Sequence, residues 1–437
     1  MVLRLAVLVI GTVSLVAFAS DSLRAVRPAS AGPGDPVLVG AGDISTCANN
    51  NDETTAALLD SIPGAVYTLG DHAYNNGTAT EFANCYDLTW GRHRARTRPA
   101  AGNHDYNTSN ATPYYDYFNG TGNFTGPAGD RDKGYYSYDL GDWHIIVINS
   151  NCSAIGGCQA GSTQEQWLRA DLAANATTCT LAYWHHPRFS SSAVHGNHAF
   201  MQPVWQALYD YGADVVLSGH DHNYERFAPQ DPTGAADPTR GIREFVVGTG
   251  GYSHYAFAAP QPNSELRDAV TYGVLKLTLH ATSYDWEFVP EPGELFTDTG
   301  SDGCVDQSDD DLDGCFAAVE LGTNPALGGL RDPSSFWDFM DVWAGEPPSR
   351  DRNVSISDVG AIVGRFGKMH ATPPTKPEAL AEALTPPTDL TGYHADFDRN
   401  GASGPNPSDV LPPDGVISIG DVGLAVTQFG HTCAGPP

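Results

Sequence analysis

The sequence predicts a layered α/β domain, because two kinds of pattern alternate along it. Short apolar runs typical of buried strands alternate with helical patterns between about residues 35 and 290. Polar residues that can bind metals follow several of the apolar runs. Layered α/β folds place their functional residues on loops at the strand ends. We therefore expect a catalytic domain at residues 36–290 with its site on such loops.

The first half of this domain begins with a strand, a helix and a second strand. Each strand is a short apolar run, and the helix between them has a helical pattern. A hairpin follows, because Gly141 and Asp142 form a turn between two apolar runs. The strands are expected at residues 36–42, 65–69, 135–140 and 143–149, and the helix at residues 52–59.

The second half of the domain continues the alternation and becomes rich in strands. Ser162 and Glu165 have the spacing of a capping box, so a helix is expected from there to Leu172. Further strands are expected at residues 180–184, 214–217, 244–247, 273–280 and 284–289, and a further helix at residues 200–211.

The composition describes a large and acidic protein. The chain has 437 residues, with 52 acidic and 23 basic side chains and a net charge of −29 at pH 7. A chain of this length usually forms more than one domain. Its charge repels nucleic acids and anionic membranes, so we expect no nucleic-acid scaffold as a partner. A small phosphorylated substrate remains compatible, since bound cations dominate the potential near a metal site.

The first residues have the pattern of a secretory signal peptide, residues 1–19. Arg4 provides the positive charge, residues 5–18 are apolar, and an Ala-x-Ala sequence ends the segment. Residues 20–35 are expected to form a linker. An uncleaved anchor is the alternative, but the apolar run is short for a membrane span, and no later segment reaches that length. We expect a secreted protein with no membrane span after cleavage.

Export agrees with the eight cysteines, because disulfides form in oxidising compartments. Two pairs are close enough in sequence for local bridges, and one longer bridge is expected. These pairs are Cys152 with Cys158, Cys304 with Cys315, and Cys47 with Cys85. Connectivity cannot be read from sequence alone, and a buried free thiol at Cys179 is an open alternative.

Five short motifs offer oxygen and imidazole ligands where predicted strands end. They lie at residues 42–43, 70–74, 102–105, 185–187 and 219–222. Two metal ions held a few ångströms apart need a bridging carboxylate, further ligands on each side, and open positions for water and substrate. Asp71 is the natural bridge. Asp43, Tyr74 and His222 complete one site, and Asn103, His185 and His220 complete the other. Carboxylate and phenol oxygens favour a trivalent or strongly Lewis-acidic ion, whereas amide and imidazole donors suit Zn, Mn or Fe(II).

These motifs resemble those of calcineurin-like metallophosphoesterases and are most similar to the purple acid phosphatases within that superfamily. The most specific element is Gly-Asp-x-x-Tyr at residues 70–74, because most of the superfamily lacks the tyrosine. Gly-His-x-His at residues 219–222, followed by Tyr-Glu-Arg, is similar to the plant-type sequence. The resemblance covers about residues 36–290. It implies a layered β-sandwich flanked by helices, and the seven ligands named above.

The resemblance also implies roles for individual residues. Tyr74 would be a phenolate ligand to Fe(III), which gives the family its purple colour. His104 would lie beside the metal ligands and help to bind substrate or protonate the leaving group. The ligand is His185 rather than His186, because the family has its ligand two positions before the proline.

The function expected from this site is hydrolysis of phosphomonoesters by in-line attack of a metal-bound hydroxide. His104 would protonate the leaving alkoxide. His195 and His198 are candidates to bind the substrate phosphate, and a solvated loop is their alternative explanation. A phosphodiesterase that acts on nucleotides or phospholipid head groups is the second hypothesis. A catalytically inactive surface adhesion module is the third.

The composition changes after Pro290. Residues 291–320 contain ten acidic side chains and neither lysine nor arginine, so residues 291–333 are expected to be an acidic linker or a calcium-binding segment. Residues 334–437 contain a duplicated sequence that resembles dockerin modules, with a possible protein partner. Aspartate oxygens are typical calcium ligands. The candidate calcium ligands are Asp351, Asp358, Asp396, Asp398, Asp414 and Asp421.

Overall fold

The computed structural model describes residues 34–175 and 179–305, whose strands form two main sheets packed face to face. The strands are β1 (Val37–Ala41), β2 (Ser45–Thr46), β3 (Ala65–Leu69), β4 (Ala73–Tyr74), β5 (Thr97–Ala100), β6 (Tyr136–Leu140), β7 (Trp143–Val147), β8 (Cys179–Tyr183), β9 (Val215–Ser218), β10 (Tyr224–Phe227), β11 (Arg243–Val247), β12 (Ser264–Asp268), β13 (Gly273–Leu279), β14 (Ser283–Pro290) and β15 (Thr299–Gly303). The α-helices are α1 (Asn51–Ser61), α2 (Ala79–Asn84), α3 (Thr112–Asn119), α4 (Thr163–Ala174) and α5 (Gln202–Asp210).

The strand order places many strand ends together. The first sheet has the order β15-β14-β13-β1-β3-β5, and the second has the order β12-β10-β11-β9-β8-β7-β6. Strands β1, β3 and β5 run parallel, and so do β7, β8, β9 and β11. Parallel strands end at the same edge of a sheet, so the loops that follow them share one end of the sandwich. The layered α/β architecture expected from the sequence is confirmed.

Strand β7 shows why the apolar runs form central strands. Ile145 and Val147 point into the core between the two sheets, whereas Ile146 lies on the other face. That outer face packs against α4 and α5, through residues such as Leu168 and Trp205. Both faces of the strand are therefore buried, and this requires a continuous apolar sequence.

The expected elements are present within two residues of their expected bounds, and the sequence patterns missed several others. The start of α4 differs in detail from a capping box. Ser162 accepts a hydrogen bond from the backbone N–H of Glu165, but the Glu165 carboxylate accepts from the N–H of Gly161. The complete reciprocal box occurs at α2, between Thr78 and Glu81.

The described residues contain three disulfides. Cys47–Cys85 and Cys152–Cys158 join as expected, but Cys304 bonds to Cys179. The expected pairing of Cys304 with Cys315 and the free thiol at Cys179 are therefore wrong. Cys179 begins β8 of the second sheet, and Cys304 follows β15 of the first sheet. The third disulfide thus links the two sheets, a contact that proximity in sequence cannot reveal.

The end of the described region adds an edge strand to the first sheet. β15 pairs with β14 and lies within residues 291–333, the segment expected to be a linker or a calcium-binding segment. The expected signal peptide at residues 1–19, the duplicated region at residues 334–437 and all six candidate calcium ligands lie outside the described residues. Within residues 34–175 and 179–305, the helices are too short or too polar to cross a membrane.

Candidate metal centre

The candidate ligands lie on loops that follow parallel strands. In the first sheet, the loops after β1, β3 and β5 carry Asp43, Asp71 and Asn103. In the second sheet, the loop after β8 carries His185, and the loop after β9 carries His220 and His222. Tyr74 lies in the short strand β4, which pairs with β2. The structure brings all seven side chains together.

The Tyr74 hydroxyl joins the first group of candidate ligands. It lies 2.8 Å from Asp43 Oδ1, 3.0 Å from Asp71 Oδ2 and 3.2 Å from His222 Nε2. His222 Nε2 is also 3.3 Å from Asp43 Oδ1. One hydroxyl proton can be donated to only one carboxylate at a time. The Tyr74 hydroxyl can therefore donate its proton to Asp43 or to Asp71, and its contact with the other carboxylate brings two oxygens together without a shared proton.

His185 joins the second group. Its Nε2 atom lies 3.3 Å from Asp71 Oδ2, 2.9 Å from Asn103 Oδ1 and 3.1 Å from His220 Nδ1. Its Nδ1 atom lies 2.6 Å from the carbonyl oxygen of Leu69, so Nδ1 carries the proton and Nε2 is free to act as a ligand. The same Asp71 oxygen contacts both groups, which is the position that a bridging carboxylate requires.

The backbone at three candidate ligands adopts a conformation that side chains rarely accept. Asp43, Asp71 and His220 have φ angles of 59°, 51° and 67°. Such left-handed residues other than glycine cost stability and occur often at functional sites. Gly102 allows a close approach as well, because a Cβ atom there would lie 2.1 Å from Asp71 Oδ1. The fold therefore accepts local strain to direct these side chains to one point.

The charge of the site fits bound cations. Asp43 and Asp71 are buried, at 0% and 1% exposure. Among the described residues, their hydrogen bonds and ion pairs are with Tyr74, with imidazoles and with backbone N–H groups, and not with lysine or arginine. Buried carboxylates are normally paired with a cation or coordinate a metal. Oxygen and nitrogen atoms of Asp43, Asp71 and His185 lie within 4.8 Å of one another, close enough to hold one ion.

The pKa values of two candidate ligands are shifted because charged groups are crowded together in this buried site. Burial, followed by the charges of Asp43 and Asp71, raises the pKa of the Tyr74 phenol well above its ordinary value. Burial opposes the charged form of His185, but the Asp71 carboxylate outweighs burial and raises the pKa of His185 to about 9. Both shifts keep protons on these groups, because the buried carboxylates have no lysine or arginine partner. Metal ions could replace those protons, so the donor set fits metal ions.

His104 lies at the rim of the site in a fixed orientation. Its Nδ1 atom is 2.6 Å from the backbone oxygen of Asn75, so Nδ1–H donates to that carbonyl. The other ring nitrogen, Nε2, is 3.9 Å from Asp71 Oδ2 and the side chain is about one-third exposed, at 32%. The imidazole also packs 4.5 Å from the Tyr74 ring. His104 is thus beside the candidate ligands and open to a substrate.

The two histidines considered for phosphate binding lie beside His220. The ring centroids of His195 and His198 are 4.1 Å and 4.9 Å from that of His220. His195 is exposed, and His198 is half-buried. Burial, together with the charges of His185 and His195, lowers the pKa of His198 to about 4, so His198 is neutral at pH 7.

His186 is also part of the site wall. Nitrogen atoms of His185, His186 and His220 lie within 4.8 Å of one another. The Nδ1 atom of His186 is 2.8 Å from the Ser150 hydroxyl, on the loop after β7. Burial lowers the pKa of His186 well below its ordinary value. The imidazole is therefore neutral and held in place beside His220.

Three residues after β11 complete the site, and the motif analysis missed them. Tyr252 stacks on Tyr74 with 3.6 Å between ring centroids and 4° between planes. Tyr255 stacks on His222 at 3.9 Å, and the Ser253 hydroxyl lies 2.8 Å from His222 Nδ1. The available signal was the glycine-rich run at residues 248–251, which follows a predicted strand in the same way as the motifs that were recognised.

Asp105 was also missed, although it follows His104 directly. Its carboxylate accepts hydrogen bonds from the backbone N–H groups of Asp71 and Gly102, at 3.1 Å and 2.9 Å. It also contacts His72 Nδ1 at 3.0 Å. Because Asp105 is buried and binds two loops at once, it fixes the distance between the loop with Asp71 and the loop with Asn103.

Comparison with known proteins identifies the family of this region. Residues 35–224 match the model of the calcineurin-like phosphoesterase family. The chain contains a calcineurin-like metallophosphoesterase domain. All seven candidate ligands of the metallophosphoesterase domain lie within the matched residues. The family and its purple acid phosphatase members imply a centre with two metal ions.

Purple acid phosphatases are among the similar proteins. Purple acid phosphatase 15 of Arabidopsis thaliana is 26% identical over 232 residues, which are 46% of this chain and 42% of that protein. Purple acid phosphatase 1 of Ipomoea batatas is 29% identical over 218 residues, 46% of this chain and 45% of that protein. A probable inactive purple acid phosphatase 1 of Arabidopsis thaliana is 27% identical over 263 residues, 52% of this chain and 41% of that protein. The chain thus spans less than half the length of these relatives.

The fold agrees with a solved structure of the same kind. A purple acid phosphatase from yellow lupin (Lupinus luteus) seeds has a TM-score of 0.50 and 20% sequence identity, over 63% of this chain and 55% of that chain. At this level of identity the likeness concerns the fold alone. The domain is therefore a sandwich of mixed sheets that is consistent with a metallophosphoesterase fold.

Proposed function

We propose that the protein is a binuclear metal-dependent phosphatase that hydrolyses phosphomonoesters. The shared position of Asp71 supports this proposal most strongly. Its Oδ2 atom lies within 3.0 Å of the Tyr74 hydroxyl and 3.3 Å of His185 Nε2, so one carboxylate serves two groups of ligands. Two adjacent metal ions suit the displacement of a phosphoester, because both the attacking and the leaving oxygen need stabilisation.

The two groups of ligands suit different ions. Asp43, Tyr74 and His222, together with Asp71, would hold Fe(III), since carboxylate and phenolate oxygens are hard ligands. Asn103, His185 and His220, together with Asp71, would hold Zn, Mn or Fe(II). When bound, these ions supply Lewis-acid chemistry, that is, activation of water near neutral pH and neutralisation of phosphoryl charge.

Three histidines of the chain would act on the substrate. His195 and His198 lie beside His220 and would bind the phosphoryl oxygens through their ring N–H groups. His104 would hold a proton at Nε2 for the leaving oxygen, because its Nδ1–H is already committed to the Asn75 carbonyl. The half-buried rings of Tyr252 and Tyr255 stack on Tyr74 and His222 and would keep them in place during this chemistry.

We also infer that the protein is exported. The three disulfides within the described residues support this inference, because such bonds persist mainly in oxidising compartments. The leader pattern at residues 1–19 is a second and independent support from sequence. N-terminal sequencing of the secreted protein should begin at Ser20, and a mature protein that retains residue 1 would contradict the inference.

The duplicated region at residues 334–437 would bind calcium and present a surface to a protein partner, as its sequence suggests. Limited proteolysis with and without a calcium chelator tests this separately from catalysis. We expect chelation to accelerate cleavage of the region and to leave phosphatase activity nearly unchanged. A cleavage pattern that ignores the chelator would argue against calcium.

The phosphatase proposal is tested by comparing a monoester with a diester. We expect the purified protein to hydrolyse p-nitrophenyl phosphate faster than bis-p-nitrophenyl phosphate. The Asn103→Ala variant should lose at least about a hundredfold in kcat, because it removes a metal ligand. Asn84→Ala is the matched control, since Asn84 is an exposed residue at the end of α2.

Each result has a distinct meaning for the proposal. Preference for the monoester, lost in Asn103→Ala and retained in Asn84→Ala, would support it. Preference for the diester would replace it with the phosphodiesterase hypothesis. Failure of the metal-loaded protein to hydrolyse either ester would contradict enzymatic function and favour an adhesion module.

A further inference from the structure

A continuous series of rings borders the candidate metal centre. We name this series the ring chain; its members are Phe200, His198, His220, His195, Tyr255 and His222. The distances between successive ring centroids are 5.2, 4.9, 4.1, 5.6 and 3.9 Å. Two members are candidate metal ligands and two are the candidate phosphate-binding histidines. A substrate that enters the centre therefore passes close to aromatic surface.

The ring chain begins with an exposed apolar side chain. Phe200 is 44% exposed, and it contacts the rings of His186 and His198. Val194, which precedes His195, is 53% exposed. Scattered apolar residues on a surface need no explanation, but these two are on the loop that carries both phosphate-binding histidines. Exposed apolar surface beside a polar centre is typical of a pocket for a partly apolar ligand.

The ring chain has no fixed positive charge beside it. Within the described residues, the hydrogen bonds, ion pairs and ring contacts of its members are with histidine, tyrosine, phenylalanine, serine, carboxylates and backbone groups, and not with lysine or arginine. The nearest arginine along the loop, Arg188, instead packs on Phe189 and donates to the backbone oxygen of Pro232. Polyanionic ligands are usually bound by several such cations.

We propose that this site takes phosphomonoesters with a single phosphate group and an uncharged aromatic leaving group. The proposal rests on the phosphatase function proposed above and specifies its substrate class. Two metal ions and two histidines suffice for one phosphate group. A second phosphate on the same substrate would lie beyond the metals, where the ring chain offers no cation and the protein as a whole is strongly acidic.

The aromatic part of the preference has a physical basis in ring packing. An aryl group placed against Phe200 removes apolar surface of both partners from water. Aromatic pairs contribute about threefold to tenfold in affinity beyond the burial of area. An alkyl alcohol of similar size cannot make such ring contacts, so Phe200 should distinguish aryl from alkyl esters. Exclusion of polyphosphorylated compounds, in contrast, arises from the missing cations.

Binding of non-hydrolysable phosphonates tests the proposal without turnover. Calorimetry of the metal-loaded full chain should give a Kd for phenylphosphonate about threefold to tenfold lower than for methylphosphonate. Methylenediphosphonate should gain no affinity over methylphosphonate once chelation of the metals is excluded by elemental analysis. Equal affinity for phenylphosphonate and methylphosphonate would overturn the aromatic part, and tighter binding of the diphosphonate would overturn the single-phosphate part.

Three variants test which residues of the ring chain and its loop determine the preference for aryl phosphates with a single phosphate group. Phe200→Ser should raise the KM for phenyl phosphate about threefold to tenfold and leave the KM for glycerol phosphate unchanged. Val194→Lys should increase kcat/KM for inorganic tripolyphosphate, because it adds one cation beside His195. Leu295→Ser is the matched control, since Leu295 is 94% exposed and outside the ring chain. It should change none of these values.

The results separate this inference from the phosphatase proposal. Hydrolysis of all three substrates with equal kcat/KM would overturn the substrate class and retain the phosphatase. A phenylphosphonate preference that Phe200→Ser abolishes, in a protein without turnover, would retain the binding preference and contradict the phosphatase. If Phe200→Ser affects the aryl and alkyl esters equally, Phe200 has only a structural role and the inference fails.

Discussion

Two buried aspartates in this molecule each contact a tyrosine hydroxyl, but only one of them also pairs with an arginine. Asp298 accepts a hydrogen bond of 2.7 Å from the Tyr224 hydroxyl and a second of 2.7 Å from Arg226 Nε. Asp43 lies 2.8 Å from the Tyr74 hydroxyl, but its remaining side-chain contact is with the imidazole of His222. The first carboxylate is thus balanced within the protein, whereas the second is not.

This difference indicates that the region around Asp43, and not the region around Asp298, is suited to bind a cation. Around Asp298, the guanidinium of Arg226 also pairs with Glu265, so the region is a closed network of ion pairs. Around Asp43, a second buried carboxylate, Asp71, adds negative charge without an arginine or lysine partner in the described residues. Buried carboxylates that have no lysine or arginine partner are typical of a metal site. The following predictions test this contrast.

The largest expected effect comes from removing one carboxylate charge in each region. Asp71→Asn should lower kcat by about a thousandfold, because it removes the negative charge of the carboxylate shared by both groups of ligands. Asp298→Asn should retain kcat and lower the free energy of unfolding by about 2 kcal/mol, since it weakens a charge-assisted network. Steady-state kinetics and urea denaturation measure the two effects. If both variants lose only stability, or both lose only activity, the contrast between the regions is false.

Metal removal should affect one region and not the other. Saturating metal at about a thousand times its Kd stabilises a native protein by about 4 kcal/mol for each site. We expect a chelator of transition metals, with calcium held in excess, to lower the free energy of unfolding accordingly. Asp71→Asn should respond less to the chelator than the unchanged protein, by at least the contribution of one site, whereas Asp298→Asn should respond like the unchanged protein. A free energy of unfolding that does not change with the chelator would count against a metal site at Asp71.

Tyr252 offers a smaller perturbation of the same centre. Its ring stacks on Tyr74, and its hydroxyl donates to Asn75 Oδ1 at 2.9 Å. Residues that orient metal ligands typically contribute tenfold or more to metal affinity. Tyr252→Leu should weaken metal binding about tenfold, and Tyr252→Phe should lose less, because it keeps the stack. Competition with a chelator measures the affinities, and identical values for both variants would show that the stack is unimportant.

His144 is a titratable partner of two carboxylates, and its substitution is expected to have the smallest effect. It is buried, and its ring nitrogens each lie 2.9 Å from a carboxylate, Asp139 on one side and Asp171 on the other. Burial opposes the charged form, but Asp171 and then Asp139 outweigh it and raise the pKa of His144 above its ordinary value of 6.5. The charged imidazole therefore connects β6 to α4.

The sign of the pH dependence follows from that raised pKa. The stabilisation is fully present below the unfolded value of 6.5 and is lost as the pH rises through the higher folded value. We expect His144→Gln to cost about 1–2 kcal/mol at pH 5.5 and less at alkaline pH. Denaturation of both proteins at several pH values measures this difference. A cost that grows with pH would have the wrong sign for a charged His144.

The sequence predicted the central strands well because both of their faces are buried. It missed strands whose pairing depends on distant partners. β5 reads Thr-Arg-Pro-Ala, and β10 contains Glu225 and Arg226. Glu225 accepts hydrogen bonds from Ser191, and Arg226 pairs with Asp298, so contacts more than 30 residues away allow polar side chains in a strand. No local pattern reports such contacts.

The same distinction applies to the candidate site. Asp43, Asp71 and His220 were recognisable because each belongs to a short motif after an apolar strand. Tyr252 and Tyr255 were not, because their contacts require β11 to lie beside β9, which brings the glycine-rich loop next to His222. The sequence indicated the candidate ligands, and the sheet order brings together the side chains that pack against them.

Elemental analysis of the purified protein tests the central claim most directly. Apart from any bound calcium, we expect two transition-metal ions per chain, drawn from iron, zinc and manganese. Asp298→Asn should keep both ions, and Asp71→Asn should lose at least one. A fully folded protein with no bound transition metal, or an Asp71→Asn variant that retains two ions, would contradict a binuclear metal centre bridged by Asp71.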